Sequence, residues 1–339
     1  MSQMNRIEIR RRDIIELTVG GVAVSLVGMI ADSSIAHAKV AKHFPITVPD
    51  GVQKTIKAPD GTELSTREYG NPKGPPILFI HGFSQCYLSW SKQITDPDLL
   101  KRYRLVTMDL RGHGCSDAPA GPYLPKTQAD DVKAVIDRLN LDKVTLVGWS
   151  LGGVILLDYL HKHGISSSAG AVFVGSGTGD SSNQSQNFLG PALLANIPGM
   201  TGLDLKTNIV APPSVIVNLA ATRAFLSAVP KAPFSDADFT SALAYNMIVT
   251  PKSRLASISR VNAENPPQDY EKSVMPAMKA AGLRVLVVGG NEDKLVLHAA
   301  SEFIALHTGG RLLSYQRTGH APMLEQVERF NADLASFVG

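Results

Sequence analysis

The sequence is poor in cysteine, in net charge and in repeated segments. Its 339 residues include 2 cysteines, far too few for a scaffold held together by disulfides. Lysine and arginine number 33 against 30 acidic residues, and so small an excess creates no field that would attract nucleic acid. No internal repeat or long low-complexity tract appears. Apolar residues make up 44% of the chain, which is ample for the core of a large globular domain. Nucleic acid is therefore not an expected partner.

The segment 1–38 lacks an uncharged run long enough to span a membrane and is typical of an export signal. A positive patch at 10–12 precedes an uncharged stretch at 17–31, which as a helix would rise only about 22 Å, short of the ~30 Å hydrocarbon core. The small residues at 36–38 suit signal-peptidase cleavage, so the mature chain is predicted to begin at Lys39. The arginine pair resembles a twin-arginine signal, although glutamate stands where that motif usually has lysine.

We therefore expect export to the periplasm or the medium, with membrane contact only during transit. An ordinary secretory signal or an uncleaved anchor is the alternative. Oxidising conditions outside the cytoplasm would permit a disulfide between Cys86 and Cys115. Two buried thiols are the alternative there.

Short apolar runs alternate with helical periodicity along the predicted mature chain. Residues 52–70 predict two antiparallel strands around a Pro-Asp-Gly turn. Later apolar runs are typical of parallel strands that are buried on both faces. The predicted strands span 77–80, 104–108, 143–147, 169–175, 283–288 and 312–316, and the predicted helices span 127–139 and 152–163. This alternation predicts an α/β fold with a mostly parallel sheet that is covered by helices.

The segment 177–280 separates two of these strands by more than a structureless connection allows. Its apolar periodicity predicts helices, so we interpret it as a helical cap over the edge of the sheet where ligands bind. The core domain is then formed by 39–176 and 281–339. Peripheral helices with one long loop are the alternative.

A glycine-flanked serine, Ser150, follows the predicted strand 143–147 and opens the predicted helix. At such a turn the serine backbone is strained, and Gly148 and Gly152 avoid collisions that a Cβ would cause. The helix directs its first amides toward negative charge that develops on a substrate oxygen. This context predicts that Ser150 is a nucleophile rather than an inert turn residue.

A serine nucleophile needs a base that is oriented by an acid. His320 lies just past the last predicted strand, and Asp293 lies just past the strand before it, in the order serine, acid, histidine. We predict these as the base and the acid. Glu292 and Asp180 are the competing carboxylates.

An oxyanion needs a second donor besides the amide of Leu151 at the start of the helix. His81-Gly82-Phe83 ends the first predicted parallel strand, and we assign the second donor to the amide of Phe83. His81 is predicted to hold this loop rather than to act as a base. The side chains of Trp149 and Phe83 are candidates for binding substrate.

Taken in chain order, these motifs resemble those of the α/β-hydrolase family over nearly all of 60–339. The segment 109–116 resembles the family's loop after strand four, which braces the nucleophile turn. Haloalkane dehalogenases and epoxide hydrolases of the family carry aspartate where this chain has Ser150, so those reactions are disfavoured. The resemblance is closest to capped esterases, cofactor-free haloperoxidase-like esterases and carbon–carbon bond hydrolases.

The resemblance implies hydrolysis of small or medium carboxylic esters through an acyl-enzyme, with no metal or organic cofactor. The same three residues would also serve a perhydrolase that uses hydrogen peroxide as acyl acceptor, or a carbon–carbon hydrolase. A ligand-binding protein that kept the fold without catalysis is a further alternative, because fold alone does not fix function.

Overall fold

The computed structural model consists of two compact units, Met1–His43 and Phe44–Gly339. It describes residues 15–19, 22–26, 48–179, 188–260, 266 and 268–339. In the first unit the strands Ile15–Val19 and Val22–Leu26 pair antiparallel. The arginine pair and the predicted cleavage site lie outside the described residues. Within the described ranges, no helix combines the length and the apolar character needed to cross a bilayer.

The second unit contains one eight-stranded sheet. Its strands are β1 (Val52–Lys57), β2 (Glu63–Gly70), β3 (Pro76–Ile80), β4 (Arg104–Met108), β5 (Val144–Trp149), β6 (Ser168–Val174), β7 (Arg284–Gly290) and β8 (Arg311–Tyr315). Their spatial order is β1-β2-β4-β3-β5-β6-β7-β8. Strand β2 pairs antiparallel with β1 and β4, and the other neighbours pair parallel. The predicted mostly parallel sheet is confirmed.

Helices cover both faces of this sheet. They are α1 (Pro97–Arg102), α2 (Pro125–Arg138), α3 (Leu151–His163), α4 (Pro191–Leu194), α5 (Leu205–Asn208), α6 (Val215–Ala228), α7 (Asp236–Ile248), α8 (Pro251–Ile258), α9 (Val274–Ala280), α10 (His298–Thr308), α11 (Pro322–Glu325) and α12 (Val327–Val338). Strand β3 shows why two layers form: Ile77 and Phe79 pack on the side of α1 and α12, while Leu78 and Ile80 pack on the side of α2 and α3. Each is fully buried, which stabilises the fold by about 2 kcal/mol per side chain.

Helices α4 to α8 lie between β6 and β7, inside the segment predicted to form a cap. Their buried side chains, such as Phe225 and Tyr245, join the apolar cluster on the side of α12. Helix α9 differs from the prediction: Met275 and Met278 pack in the opposite cluster, with α3 and α10. This helix therefore covers the sheet rather than forming part of the cap. The sequence did not predict this because an apolar helical stripe does not reveal which surface it contacts. The early part of the cap, 180–187, lies outside the described residues.

Candidate active site

Ser150 occupies the turn between β5 and α3 with φ 54° and ψ −116°, a conformation that costs free energy for any residue except glycine. Its amide donates to the carbonyl oxygen of Val174 at 2.9 Å, which ties the turn to β6. A Cβ on Gly152 would lie 2.2 Å from the carbonyl oxygen of Ile80, so glycine lets α3 start against the end of β3. The surrounding strands thus hold the serine in a strained turn at the start of a helix.

His320 and Asp293 form a buried hydrogen-bonded pair. The Nδ1 atom of His320 lies 2.7 Å from Oδ2 of Asp293. The other carboxylate oxygen, Oδ1, accepts from the amides of Leu295 and Val296 at 2.8 and 2.9 Å. A carboxylate fixed in this way favours the imidazole tautomer with the proton on Nδ1, and Nε2 is then the nitrogen able to accept a proton.

The two competing carboxylates differ from Asp293 in position. Glu292 forms an ion pair with Nζ of Lys231, and its amide donates to the carbonyl oxygen of Thr318 at 2.9 Å. Its half-exposed side chain is therefore engaged by Lys231, whereas Nδ1 of the imidazole is engaged by Asp293. Asp180 lies outside the described residues.

Trp149 connects the serine turn with the histidine loop. Its Nε1 donates to the carbonyl oxygen of His320 at 2.8 Å, and the two rings lie 5.7 Å apart. Gly175 follows Val174, the β6 residue that accepts from the amide of Ser150. It lies close to the histidine loop, because a Cβ added to it would be 2.9 Å from the carbonyl oxygen of His320. Ser150 and His320 therefore lie near the same edge of the sheet, at the C-terminal ends of its parallel strands.

The loop after β3 brings Phe83 to the serine turn. A Cβ on Gly82 would lie 3.2 Å from Cβ of Ser150, so this loop passes close to the serine. The half-buried ring of Phe83 meets Phe225 of α6 edge to face, with centroids 6.1 Å apart. Leu151 is the first residue of α3. Both amides predicted to bind an oxyanion thus belong to segments adjoining Ser150.

The ring of His81 is engaged at both nitrogens. Nε2 accepts from the amide of Leu110 at 3.0 Å, and Nδ1 lies 2.8 Å from the carbonyl oxygen of Gly82. Only the neutral ring with its proton on Nδ1 satisfies both bonds. Burial lowers the pKa of His81 to about 4, which keeps the ring neutral. The side chain joins the loops that follow β3 and β4.

Asp109 braces the loop at 109–116. Its Oδ1 accepts from the amide of Tyr87 at 2.7 Å, and its Oδ2 accepts from the amide of Cys115 at 3.0 Å. Cys86 and Cys115 are both thiols without a disulfide between them, and burial raises the pKa of each. Of the two arrangements expected from the sequence, the structure therefore has the one with separate thiols.

A small cavity of about 30 Å³ lies beside Trp149, between the core and the cap. It is lined by Gln85, Leu88, Ser91, Lys92, Trp149, Leu226, Val229, Phe234, Asp238, Ala242, Tyr245 and Leu324. Most of these side chains are apolar, so the cavity suits a hydrocarbon group. Of the two side chains predicted to bind substrate, Trp149 lines this cavity and Phe83 does not.

Glu325 contributes to the site but was not among the residues singled out from the sequence. Its carboxylate accepts from the amides of Gly319 and Ala321, on either side of His320. Burial outweighs these bonds and raises the pKa of Glu325. The available signal was an acidic residue five positions after the histidine, which sequence alone does not distinguish from a solvated helix residue.

Known proteins share this architecture. Residues 75–327 match the alpha/beta hydrolase fold family. A putative aryl esterase from Burkholderia cenocepacia is 33% identical, with a TM-score of 0.71 over 84% of this chain and 97% of that one. An esterase from Rhodococcus sp. is 28% identical, with a TM-score of 0.72 over 84% and 98%. A non-heme haloperoxidase from Rhodococcus erythropolis is 25% identical over 84% of this chain and 98% of its own.

The chain belongs to the α/β-hydrolase family, and it is a hydrolase by class.

Proposed function

We propose that the protein hydrolyses small or medium carboxylic esters through an acyl-enzyme, with Ser150 as nucleophile, His320 as base and Asp293 as the acid that orients the base. One observation carries this proposal: the buried 2.7 Å pair of His320 and Asp293 lies at the sheet edge where Ser150 is held in a strained turn. The esterases similar to this chain support the choice of substrate class.

In the first half of the reaction, Oγ of Ser150 attacks the ester carbonyl while Nε2 of His320 takes its proton. The amides of Phe83 and Leu151 donate to the oxyanion, which stabilises the transition state by a few kcal/mol. His320 then returns the proton to the leaving alcohol. In the second half, water attacks the acyl group on Ser150 by the same steps, releasing the acid and restoring the serine.

The test compares Ser150→Ala with Ser166→Ala, an exposed serine in the same domain. We expect Ser150→Ala to abolish turnover of p-nitrophenyl acetate and butyrate and to abolish labelling by a fluorophosphonate probe. Ser166→Ala should keep both at the wild-type level. Full turnover by Ser150→Ala would refute the mechanism.

A perhydrolase is the second candidate, because the relative from Rhodococcus erythropolis is named a non-heme haloperoxidase. Such an enzyme transfers the acyl group from Ser150 to hydrogen peroxide instead of water. Peroxide-dependent bromination in acetate buffer, lost in Ser150→Ala, would establish this activity. Bromination that is absent while esters are cleaved would limit the protein to hydrolysis.

Export of a chain that begins at Lys39 is part of the same proposal. Among the described residues, all eight strands of the sheet and the twelve α-helices named above begin after residue 48, so cleavage after Ala38 would leave them intact. N-terminal sequencing of the protein recovered from the periplasm or the medium tests this. An intact Met1 in that fraction would contradict cleavage.

A further inference from the structure

The carboxylate of Glu325 joins three backbone amides from two distant segments. Oε1 accepts from Gly319 at 3.0 Å and from Ala321 at 3.1 Å, while Oε2 accepts from Lys231 at 2.7 Å. Oε2 also lies 3.0 Å from the amide of Gly319. Gly319 and Ala321 are the neighbours of His320, and Lys231 belongs to the connection between α6 and α7 of the cap. One side chain thus ties the histidine loop to the cap.

The backbone of His320 itself is also held from both sides. Its amide donates to the carbonyl oxygen of Val229 at 2.7 Å, and its carbonyl oxygen accepts from Trp149. Together with Glu325, these bonds engage the amides of three consecutive residues. The main chain that carries the imidazole therefore has little freedom to shift, and catalytic groups that are displaced by 1 Å lose much of their efficiency.

The cap contacts the acid loop as well as the histidine loop. Leu189 pairs with Val296, whose amide donates to Asp293, and Nζ of Lys231 pairs with Glu292. The connection at 229–231 therefore contacts His320 directly and also contacts Glu292, the residue before Asp293. A displacement of this part of the cap would be transmitted to His320 by two routes, the bond to Val229 and the carboxylate of Glu325.

The arrangement requires a carboxylate. Both oxygens of Glu325 face N–H donors, and a glutamine has only one acceptor oxygen. Its NH₂ group would meet either the Lys231 amide or the amides beside His320, donor against donor. A buried amide left without an acceptor is costly, so the loop would rearrange.

We propose that Glu325 is a positioning residue that fixes the backbone of His320 and couples it to the cap, an inference that rests on the proposed function of Ser150 and His320. The carboxylate of Glu325 accepts from backbone amides beside His320 and in the cap, not from the imidazole itself. It acts by holding Nε2 of the imidazole at a constant place relative to the serine.

The test compares Glu325→Gln and Glu325→Asp with Glu328→Gln, an exposed glutamate at the start of α12. For p-nitrophenyl acetate we expect Glu325→Gln to lower kcat at least tenfold with less than a twofold change in KM. Glu325→Asp keeps the charge and should recover part of kcat. Glu328→Gln should match the wild type.

Fluorophosphonate labelling separates positioning from loss of folded protein. Glu325→Gln should label more slowly yet reach one probe per chain, whereas a variant that only unfolds would reach a lower final extent. Wild-type labelling and kcat in Glu325→Gln, with Ser150→Ala inactive, would overturn the positioning role alone. Activity in Ser150→Ala would instead overturn the proposed function.

Discussion

The Nδ1 atom of His320 lies 2.7 Å from Oδ2 of Asp293, although 27 positions separate the two residues. Each residue follows a strand, β8 and β7 respectively, and these neighbours pair parallel, so that their C-terminal ends share one edge. The side chains are only 3% and 2% exposed, so water competes little for the hydrogen bond between them.

Replacement of Asp293 by asparagine tests this pair. The amides of Leu295 and Val296 would donate to the side-chain oxygen of the asparagine. This orientation places the NH₂ group of the asparagine against Nδ1 of His320. The imidazole would then carry its proton on Nε2, the wrong tautomer for a base. We expect kcat for p-nitrophenyl acetate to fall on the order of 10³- to 10⁴-fold.

Glu292→Gln is the matched control, because Glu292 is the adjacent carboxylate and pairs with Lys231. It should retain kcat within a factor of about three, since exposed ion pairs contribute little. A larger loss in Glu292→Gln than in Asp293→Asn would reverse the assignment of the acid.

Acid should destabilise the fold in part through His81. The pKa of this ring is about 4 in the folded chain against 6.5 for an ordinary histidine. The unfolded chain therefore binds the proton first as pH falls, so this contribution to stability is complete above about pH 6.5 and is lost as pH falls toward 4. Linkage puts it at about 3 kcal/mol.

In His81→Gln the unfolding free energy should depend less steeply on pH, because about one proton fewer is taken up on unfolding. Urea unfolding at several values between pH 7.5 and 4.5 measures it, and His113 remains as a second buried histidine in both proteins. Equal slopes for the variant and the wild type would show that His81 does not titrate on unfolding in this range.

Alanine substitutions at Gly114 and Gly61 distinguish the cost of backbone strain from the cost of a steric collision in the folded state. Both have positive φ, +52° and +90°, but a Cβ on Gly114 would lie 2.3 to 2.5 Å from the carboxylate atoms of Asp109, whereas nothing lies within 4 Å of one on Gly61. Gly61→Ala should cost about 1–2 kcal/mol of unfolding free energy, the strain alone.

Gly114→Ala should cost clearly more, and it should also lower kcat because Asp109 holds the amide of Tyr87 in the loop after β3. Urea unfolding and ester turnover measure the two effects. Equal losses of unfolding free energy in the two variants would mean that the loop at 109–116 rearranges to accept the Cβ at no cost in free energy.

The predictable part of this molecule is the part that rests on local pattern. A continuous apolar run predicts that both faces of strand β3 are buried, and the flanking glycines predict the turn at Ser150. The bond between Lys231 and Glu325 joins residues 94 positions apart, and no local pattern specifies it. The position of α9 was not predictable for the same reason, because its apolar stripe is equally compatible with a helix of the cap and with a helix that covers the sheet.

The cavity beside Trp149 predicts a preference for short acyl groups. Its volume of about 30 Å³ is close to the space one water needs, so an acetyl group requires less rearrangement than a hexanoyl group. Leu226 of α6 lines it and is 1% exposed. Leu226→Ala should raise the ratio of kcat/KM for p-nitrophenyl hexanoate over acetate by on the order of tenfold.

Leu334→Ala is the control, because Leu334 is equally buried in α12 and does not line the cavity. Both variants should lose about 2–5 kcal/mol of stability from the deleted methyl groups, so stability cannot account for a difference between them. Only Leu226→Ala creates space next to the residue that precedes Ser150. If the two variants change the hexanoate-to-acetate ratio equally, the acyl chain binds elsewhere than in this cavity.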